Sequence, residues 1–175
     1  MTPKHHIVFL TGAGISQESG ISTFRDANGL WNNHKIEEVA SPEGFEKNPQ
    51  LVLDFYNARR RQLDEVNPNE AHHLIAQLET KYNVTIITQN IDDLHERAGS
   101  TNVLHLHGEL RKCRSSKNPN LIYTCTQDIK LGDLASDGNQ LRPHIVWFGE
   151  EVTEIEKAIG ITQSADLFVI VGTSM

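Results

Sequence analysis

The feature that most constrains this chain is the run Ile7-Val8-Phe9-Leu10, cut off at once by Thr11-Gly12-Ala13-Gly14. An unbroken apolar run of this length, ending in glycine, reads as a strand buried on both faces. Such strands lie in parallel sheets covered by helices. Residues 84–88 and 167–171 have the same look, and 103–106 is a weaker example. Helical patterns separate them. Asn48-Pro49 opens one that runs to about residue 66, with Asn as N-cap and Pro at the first helical position. Asn69 caps a second through about residue 79, residues 91–98 form a third that stops at Gly99, and 151–163 form a fourth. Strands alternating with helices predict an α/β chain built on a Rossmann-like doubly wound parallel sheet.

Residues 111–140 break the alternation. They are polar, with Ser115-Ser116, Asn118-Pro119-Asn120 and Asp137-Gly138-Asn139 as turn signals. This stretch reads as a small inserted module with two short strands, near 121–124 and 127–131, and it divides the Rossmann-like domain into 1–110 and 141–175. The sequence stops just after a buried strand, an odd place for a parallel sheet to finish, so the C-terminal part of that domain is expected to be missing.

Charge and cysteine usage narrow the function. With 16 Lys and Arg against 23 Asp and Glu, the net charge is −7. That balance disfavours nucleic acid or an anionic membrane as partner, and leaves open a phosphate cofactor held by backbone amides. No apolar run is long enough for a membrane span. Cys113 and Cys125 are too few for a disulfide framework, which fits a reducing cytoplasm.

Four constellations carry chemistry, and each has a plainer reading. Gly12-Ala13-Gly14-Ile15-Ser16 lets backbone amides approach a pyrophosphate, or is only a tight connection. Its glycines, at 12, 14 and 20, do not follow the G-x-G-x-x-G fingerprint. The loop Ile21-Ser22-Thr23-Phe24-Arg25-Asp26 with Gly29-Leu30-Trp31 is richer in aromatic and charged groups than a connection needs and suits a lid over a nucleotide. Gln89-Asn90-Ile91-Asp92 lies at the carboxyl end of a buried strand, where such sheets bind ligands, although Asn90 and Asp92 could simply cap the next helix. His105 and His107 share one strand face; His107, before Gly108, is the better placed for a general base, and hydrogen-bonded surface histidines are the alternative.

On the helix from Asn48, Leu51, Phe55, Arg59 and Leu63 form one row, with Tyr56 three residues before Arg59. Arg60 and Arg61 project elsewhere and are expected in solvent. Arg59 on an apolar stripe either snorkels out or joins Tyr56 in gripping a carboxylate. The extended segment 141–150, ending Phe148-Gly149-Glu150, suits strand pairing with a peptide, or is an edge strand.

Taken in order, Gly12-Ala13-Gly14-Ile15-Ser16, Phe24-Arg25-Asp26, Gln89-Asn90-Ile91-Asp92, His107-Gly108, Phe148-Gly149-Glu150 and Gly172-Thr173-Ser174 resemble the sirtuins. The likeness is strongest to the bacterial CobB-type and class III members, marked by a Tyr-x-x-Arg pair (Tyr56, Arg59) and a small residue (Ala40) that widens the acyl pocket. The resemblance implies NAD-dependent removal of succinyl, malonyl and, to some degree, acetyl groups from protein lysines, yielding nicotinamide, O-acyl-ADP-ribose and free lysine. It implies His107 as general base. It places NAD against Gly12, Ala13, Gly14, Ile15, Ser16, Glu18, Phe24, Arg25, Trp31, Gln89, Asn90, Ile91, Asp92, Gly172, Thr173 and Ser174. It places the acyl-lysine substrate against Ala40, Tyr56, Arg59, Val146, Phe148, Gly149 and Glu150. An ADP-ribosyl transferase or a non-catalytic NAD-binding module remain the competing readings.

One departure stands out. Sirtuins usually carry two cysteine pairs that bind a structural zinc, with Cys113 here standing for one of the first pair. Cys125 follows without the paired spacing, and no cysteine precedes Leu141-Arg142-Pro143. Zinc is therefore not expected.

Overall fold

The computed structural model describes residues 4–21, 30–31 (backbone only) and 34–173. Its elements begin with β1 (His6–Thr11), a 3-10 helix (Ala13–Ser19), β2 (Leu30–Trp31), β3 (His34–Lys35), α1 (Ile36–Val39) and α2 (Pro42–Lys47). They continue with α3 (Pro49–Glu65), α4 (Glu70–Leu78), β4 (Asn83–Thr88), α5 (Leu94–Arg97) and β5 (Val103–His105). The last are β6 (Gly108–Ser115), β7 (Ile122–Thr124), β8 (Leu141–Ile145), α6 (Ile155–Gln163) and β9 (Leu167–Val171). Two compact units result. One comprises Met1–Thr23, Val66–His107 and Val152–Met175, the other Phe24–Glu65 and Gly108–Glu151. Among the described residues no helix is long and apolar enough to cross a membrane.

The first unit is a parallel sheet in the order β5-β4-β1-β9. Strand alternation decides which helix each side chain meets. Ile7 and Phe9, with Val84 and Ile86, pack on Ile75 and Leu78 of α4. Val8 and Leu10, with Ile87 and Leu104, pack on Ala158 and Ile161 of α6 across the other face. The sheet is thus doubly wound, as its apolar strands imply, and each such side chain contributes about 1.5–3 kcal/mol by burial. Asn69 caps α4 through Ala71 N–H at 3.0 Å. Three expectations are corrected. Strand β9 is not buried: Leu167, Phe168 and Ile170 are exposed, because among the described residues nothing pairs with its outer edge. The helix expected over 91–98 is only α5, since the Asp92 side chain accepts the Leu94 N–H and sets a later start. Likewise α6 begins at Ile155 and not at 151.

The second unit holds an antiparallel sheet in the order β7-β6-β8 and helices α1 to α3. Strand β7 matches the expectation, but no strand forms over 127–131. There Ile129 pairs its backbone with the Asn57 side chain, N–H to Oδ1 and C=O to Nδ2, both at 2.9 Å. This packing buries a second face of α3, where Leu53 shares a core with Cys113, Cys125 and Ile129. Arg60 is consequently not in solvent but 1 % exposed. It donates from Nε to Leu110 O and from Nη1 to Asn57 Oδ1, both at 2.8 Å, and burial lowers its pKa. Arg61 alone behaves as expected, pairing with Asp128 at the surface.

Two buried histidines join α4 to α5. His72 and His95 meet edge to face at 4.8 Å, and His95 Nε2 contacts Thr11 Oγ1 at 3.0 Å. His72 Nε2 and His95 Nδ1 have no hydrogen-bond partner. Burial depresses both rings, His72 to about 4 and His95 to about 3. Neutral in the fold, they contribute stability that is complete above the unfolded imidazole value and is lost as pH falls through these lower values. Stability from urea melts is expected to fall by roughly 2–3 kcal/mol per pH unit between about pH 6 and pH 4, and His95→Gln to remove about half of that slope. An unchanged slope in the variant would place the effect elsewhere.

Candidate functional site

The site in the first unit begins where β1 stops. Gly12 and Gly14 lie so close to the turn after β9 that side chains have no room. A Cβ on Gly12 would stand 2.6 Å from Thr173 Cβ, and one on Gly14 2.8 Å from Gly172 O. Gly172, at φ +67°, would put its own Cβ 2.3 Å from Ile15 N. Backbone bonds use that closeness, with Gly14 N–H reaching Gly172 O at 2.8 Å. The chain then winds into the 3-10 helix rather than an open turn, and Asn69 Nδ2 braces it through Ile15 O at 2.7 Å and Ser19 Oγ at 3.0 Å.

Beneath this turn the polar end of β4 forms a network. Asn90 Nδ2 donates to Gly12 O and Ser16 Oγ, each at 3.1 Å, and Ser16 Oγ donates to Asp92 Oδ2 at 3.0 Å. Burial raises the Asp92 carboxyl, against the bonds from Leu94 and Ser16. Gln89 Oε1 accepts from Thr173 Oγ1 at 3.0 Å. Capping is therefore part of Asp92's role, while Asn90 turns to the glycine loop. Glu18 and Ala13 lie on the same 3-10 helix, and Ile91 between Asn90 and Asp92. A small-residue cradle with amide, hydroxyl and carboxyl groups at its floor fits a dinucleotide.

The two histidines are told apart by their partners. His105 Nδ1 faces Asn90 O and its Nε2 faces Glu96 Oε1, both at 2.8 Å. Both ring nitrogens are thus held in hydrogen bonds. His107 Nδ1 faces Gln89 O at 2.9 Å. That carbonyl accepts from Nδ1–H in the tautomer that leaves the ring's lone pair on Nε2.

In the second unit, Tyr56 and Arg59 lie one turn apart on α3, 0 % and 5 % exposed. The Arg59 guanidinium sits 5.0 Å from the Phe55 ring centroid. Burial raises the Tyr56 phenol above its ordinary range, so it is neutral. Its oxygen accepts from Trp147 Nε1 at 3.0 Å. Trp147 in turn lies over the Arg142 guanidinium, 3.2 Å from ring centroid to Cζ. Glu150 anchors the assembly. It accepts from Arg142 at 2.7 and 3.0 Å, from Arg114 at 3.2 Å and from Trp147 N–H at 2.8 Å. Burial opposes its charge, but these donors hold the carboxyl below its usual range.

The reading of 148–150 as extended is corrected. Extended backbone ends with β8, and a turn succeeds it, closed by Glu150 N–H on Trp147 O at 3.0 Å with Gly149 at φ +89°. Phe148 N–H is committed to Ala40 O at 3.0 Å, while its ring is exposed and Val146 is half-buried. Phe24, Arg25 and Ser174, and the side chain of Trp31, lie outside the described residues. The sequence pattern gives no sign of the roles of Trp147 and Arg142, and it marks Asn69 only as a helix cap, since none falls on a periodic stripe that marks its contact. As to metal, no group of three or more His, Cys, Asp or Glu could hold an ion among the described residues. Cys113 and Cys125 lie in one apolar cluster, where the Cys125 thiol donates to Gln127 O at 3.3 Å. The residues present do not fit a four-thiolate zinc site.

A family model described as Sir2 family matches residues 12–175. The chain is 63 % identical over 170 residues to an NAD-dependent protein deacylase of Helicobacter pylori (strain ATCC 700392 / 26695), covering 97 % of this chain and 74 % of that protein. It is 58 % identical over 176 residues to a protein of the same description from Bacteroides thetaiotaomicron, covering 97 % and 75 %. Among solved structures, a Sir2 homolog–NAD complex matches with TM-score 0.86 at 42 % identity, covering 98 % of this chain and 69 % of that one. A Sir2 protein bound to acetylated peptide matches with TM-score 0.79 at 33 % identity, covering 97 % and 71 %.

Removing the Glu150 carboxylate strips a buried guanidinium of its charge partner. Glu150→Ala is expected to cost about 3–5 kcal/mol in a denaturant melt. A loss under about 1 kcal/mol would mean that Glu150 is not the anchor of the Trp147 turn.

Proposed function

Because this chain belongs to the Sir2 family, we propose that its work as an NAD-dependent protein deacylase is directed at acyl groups ending in a carboxylate, succinyl and malonyl foremost. NAD supplies the ribose that takes up the acyl group and releases nicotinamide. The Gly12-Ala13-Gly14 backbone with Ile15, Ser16 and Glu18 serves its phosphates, and Gln89, Asn90, Ile91 and Asp92 its nicotinamide ribose and carboxamide. Phe24, Arg25 and Trp31 cover that end, and Gly172, Thr173 and Ser174 serve the adenosine side. His107 is the general base: with Nδ1–H bonded to Gln89 O, Nε2 takes the proton of a ribose hydroxyl as the acyl group transfers. One water is consumed in freeing the amine, and lysine, nicotinamide and O-acyl-ADP-ribose result.

The observation that carries the acyl preference is the dry setting of Arg59 beside the neutral Tyr56 phenol. A guanidinium there gives an acyl carboxylate a charge-assisted, two-pronged bond that an acetyl group cannot use. Ala40, 3 % exposed, keeps the wall shallow, and Val146, Phe148, Gly149 and Glu150 make or support the peptide-facing edge.

The test compares NAD-dependent removal of succinyl and acetyl groups from one peptide. Arg59→Met is expected to lower kcat/KM for the succinyl peptide roughly 10- to 100-fold and to change the acetyl value little. Equal losses would end the carboxylate reading. His107→Tyr is expected to abolish both reactions while leaving the thermal midpoint near that of the parent.

A further inference from the structure

Two turns of the second unit share one construction. Ser115 closes β6, and its Oγ accepts the N–H groups of Lys117 and Asn118, both at 3.1 Å. Asp137 Oδ1 accepts the Asn139 N–H at 3.1 Å. The turns read Ser115-Ser116-Lys117-Asn118 and Asp137-Gly138-Asn139-Gln140. Each places polar side chains three positions apart, which is the spacing of a Cys-x-x-Cys metal turn. They also lie side by side, with Ser116 N–H on Gln140 O at 2.9 Å and Ser115 opposite Leu141 in the β6–β8 register.

Where an ion would join two such turns, Ser115 Oγ donates to Asp137 Oδ2 at 2.7 Å. The hydroxyl is then saturated: one proton given, two lone pairs filled. Ser115 is also 2 % exposed, so no water competes for it. The two outer positions face their own loops, Asn118 Oδ1 accepting Asn120 N–H at 3.1 Å and Gln140 Oε1 accepting Gly132 N–H at 2.8 Å. Each of the four side chains is thus committed within the protein, and a saturated hydroxyl, two amides and a single carboxylate make a poor donor set for zinc.

We propose that Ser115 and Asp137 form a metal-free clasp between the turn that closes β6 and the turn that precedes β8, so that this chain folds and works without zinc. The clasp does the ion's geometric work with one hydrogen bond and the turns' own amides. It is also indifferent to thiol oxidation, since neither cysteine takes part.

The chain purified from zinc-supplemented culture is expected to carry no stoichiometric zinc by elemental mass spectrometry, and a chelator to leave its Tm unchanged. Ser115→Ala and Asp137→Ala are each expected to lower Tm by about 2–4 °C. The double variant should lose clearly less than the sum of the single losses, because both remove the shared Ser115–Asp137 bond, and Ser115→Thr should retain most of the stability. Stoichiometric zinc in the parent with a chelator-induced fall in Tm would overturn the proposal. So would strictly additive single losses.

Discussion

The absence of three side chains governs the first unit. Gly12, Gly14 and Gly172 bring the turns after β1 and β9 into backbone contact, nearer than any Cβ would permit. The amides of the first turn are thereby fixed in place. Asn90 and Ser16 then meet beneath them, and Asp92 is held in a setting where its carboxyl is raised by burial. Phosphate recognition by backbone depends on such rigidity, because donors already held in place need no reordering when an anion arrives.

The second unit solves a different problem, the burial of arginines, and it does so three ways. Arg60 is spent on structure, its guanidinium bonded to a backbone carbonyl and an amide. Arg142 is neutralised by Glu150 and stacked on Trp147, and that stack places the indole N–H on the Tyr56 phenol. Arg59 lies over Phe55 on the same helix. Three cations with distinct surroundings in one small unit show how little the residue type alone says about its role.

Much of the architecture was legible in the chain. The apolar runs of β1 and β4 announced a parallel sheet, and Asn48-Pro49 and Asn69 marked two helix starts within a residue. What misled was polarity in places where packing overrides it. Arg60 reads as a surface residue because the stripe rule assumes one buried face, whereas α3 is covered on two. Strand β6, Gly108–Ser115, was missed for the same reason: its Glu, Arg and Lys residues hide a strand whose alternate positions are buried.

By itself the sequence determined the α/β alternation, the glycine turn, and the order of motifs that marks the family, because each depends on short-range pattern or residue identity. Tertiary structure alone decided how the two histidines differ, with His105 closing β5 and meeting Glu96 through Nε2, and His107 lying beyond that strand and meeting Gln89 O through Nδ1. It also decided that Glu150 anchors a turn, and that Ser115 meets Asp137 across 22 positions. Hydrogen-bond partners are set by three-dimensional proximity, and no local spacing encodes them.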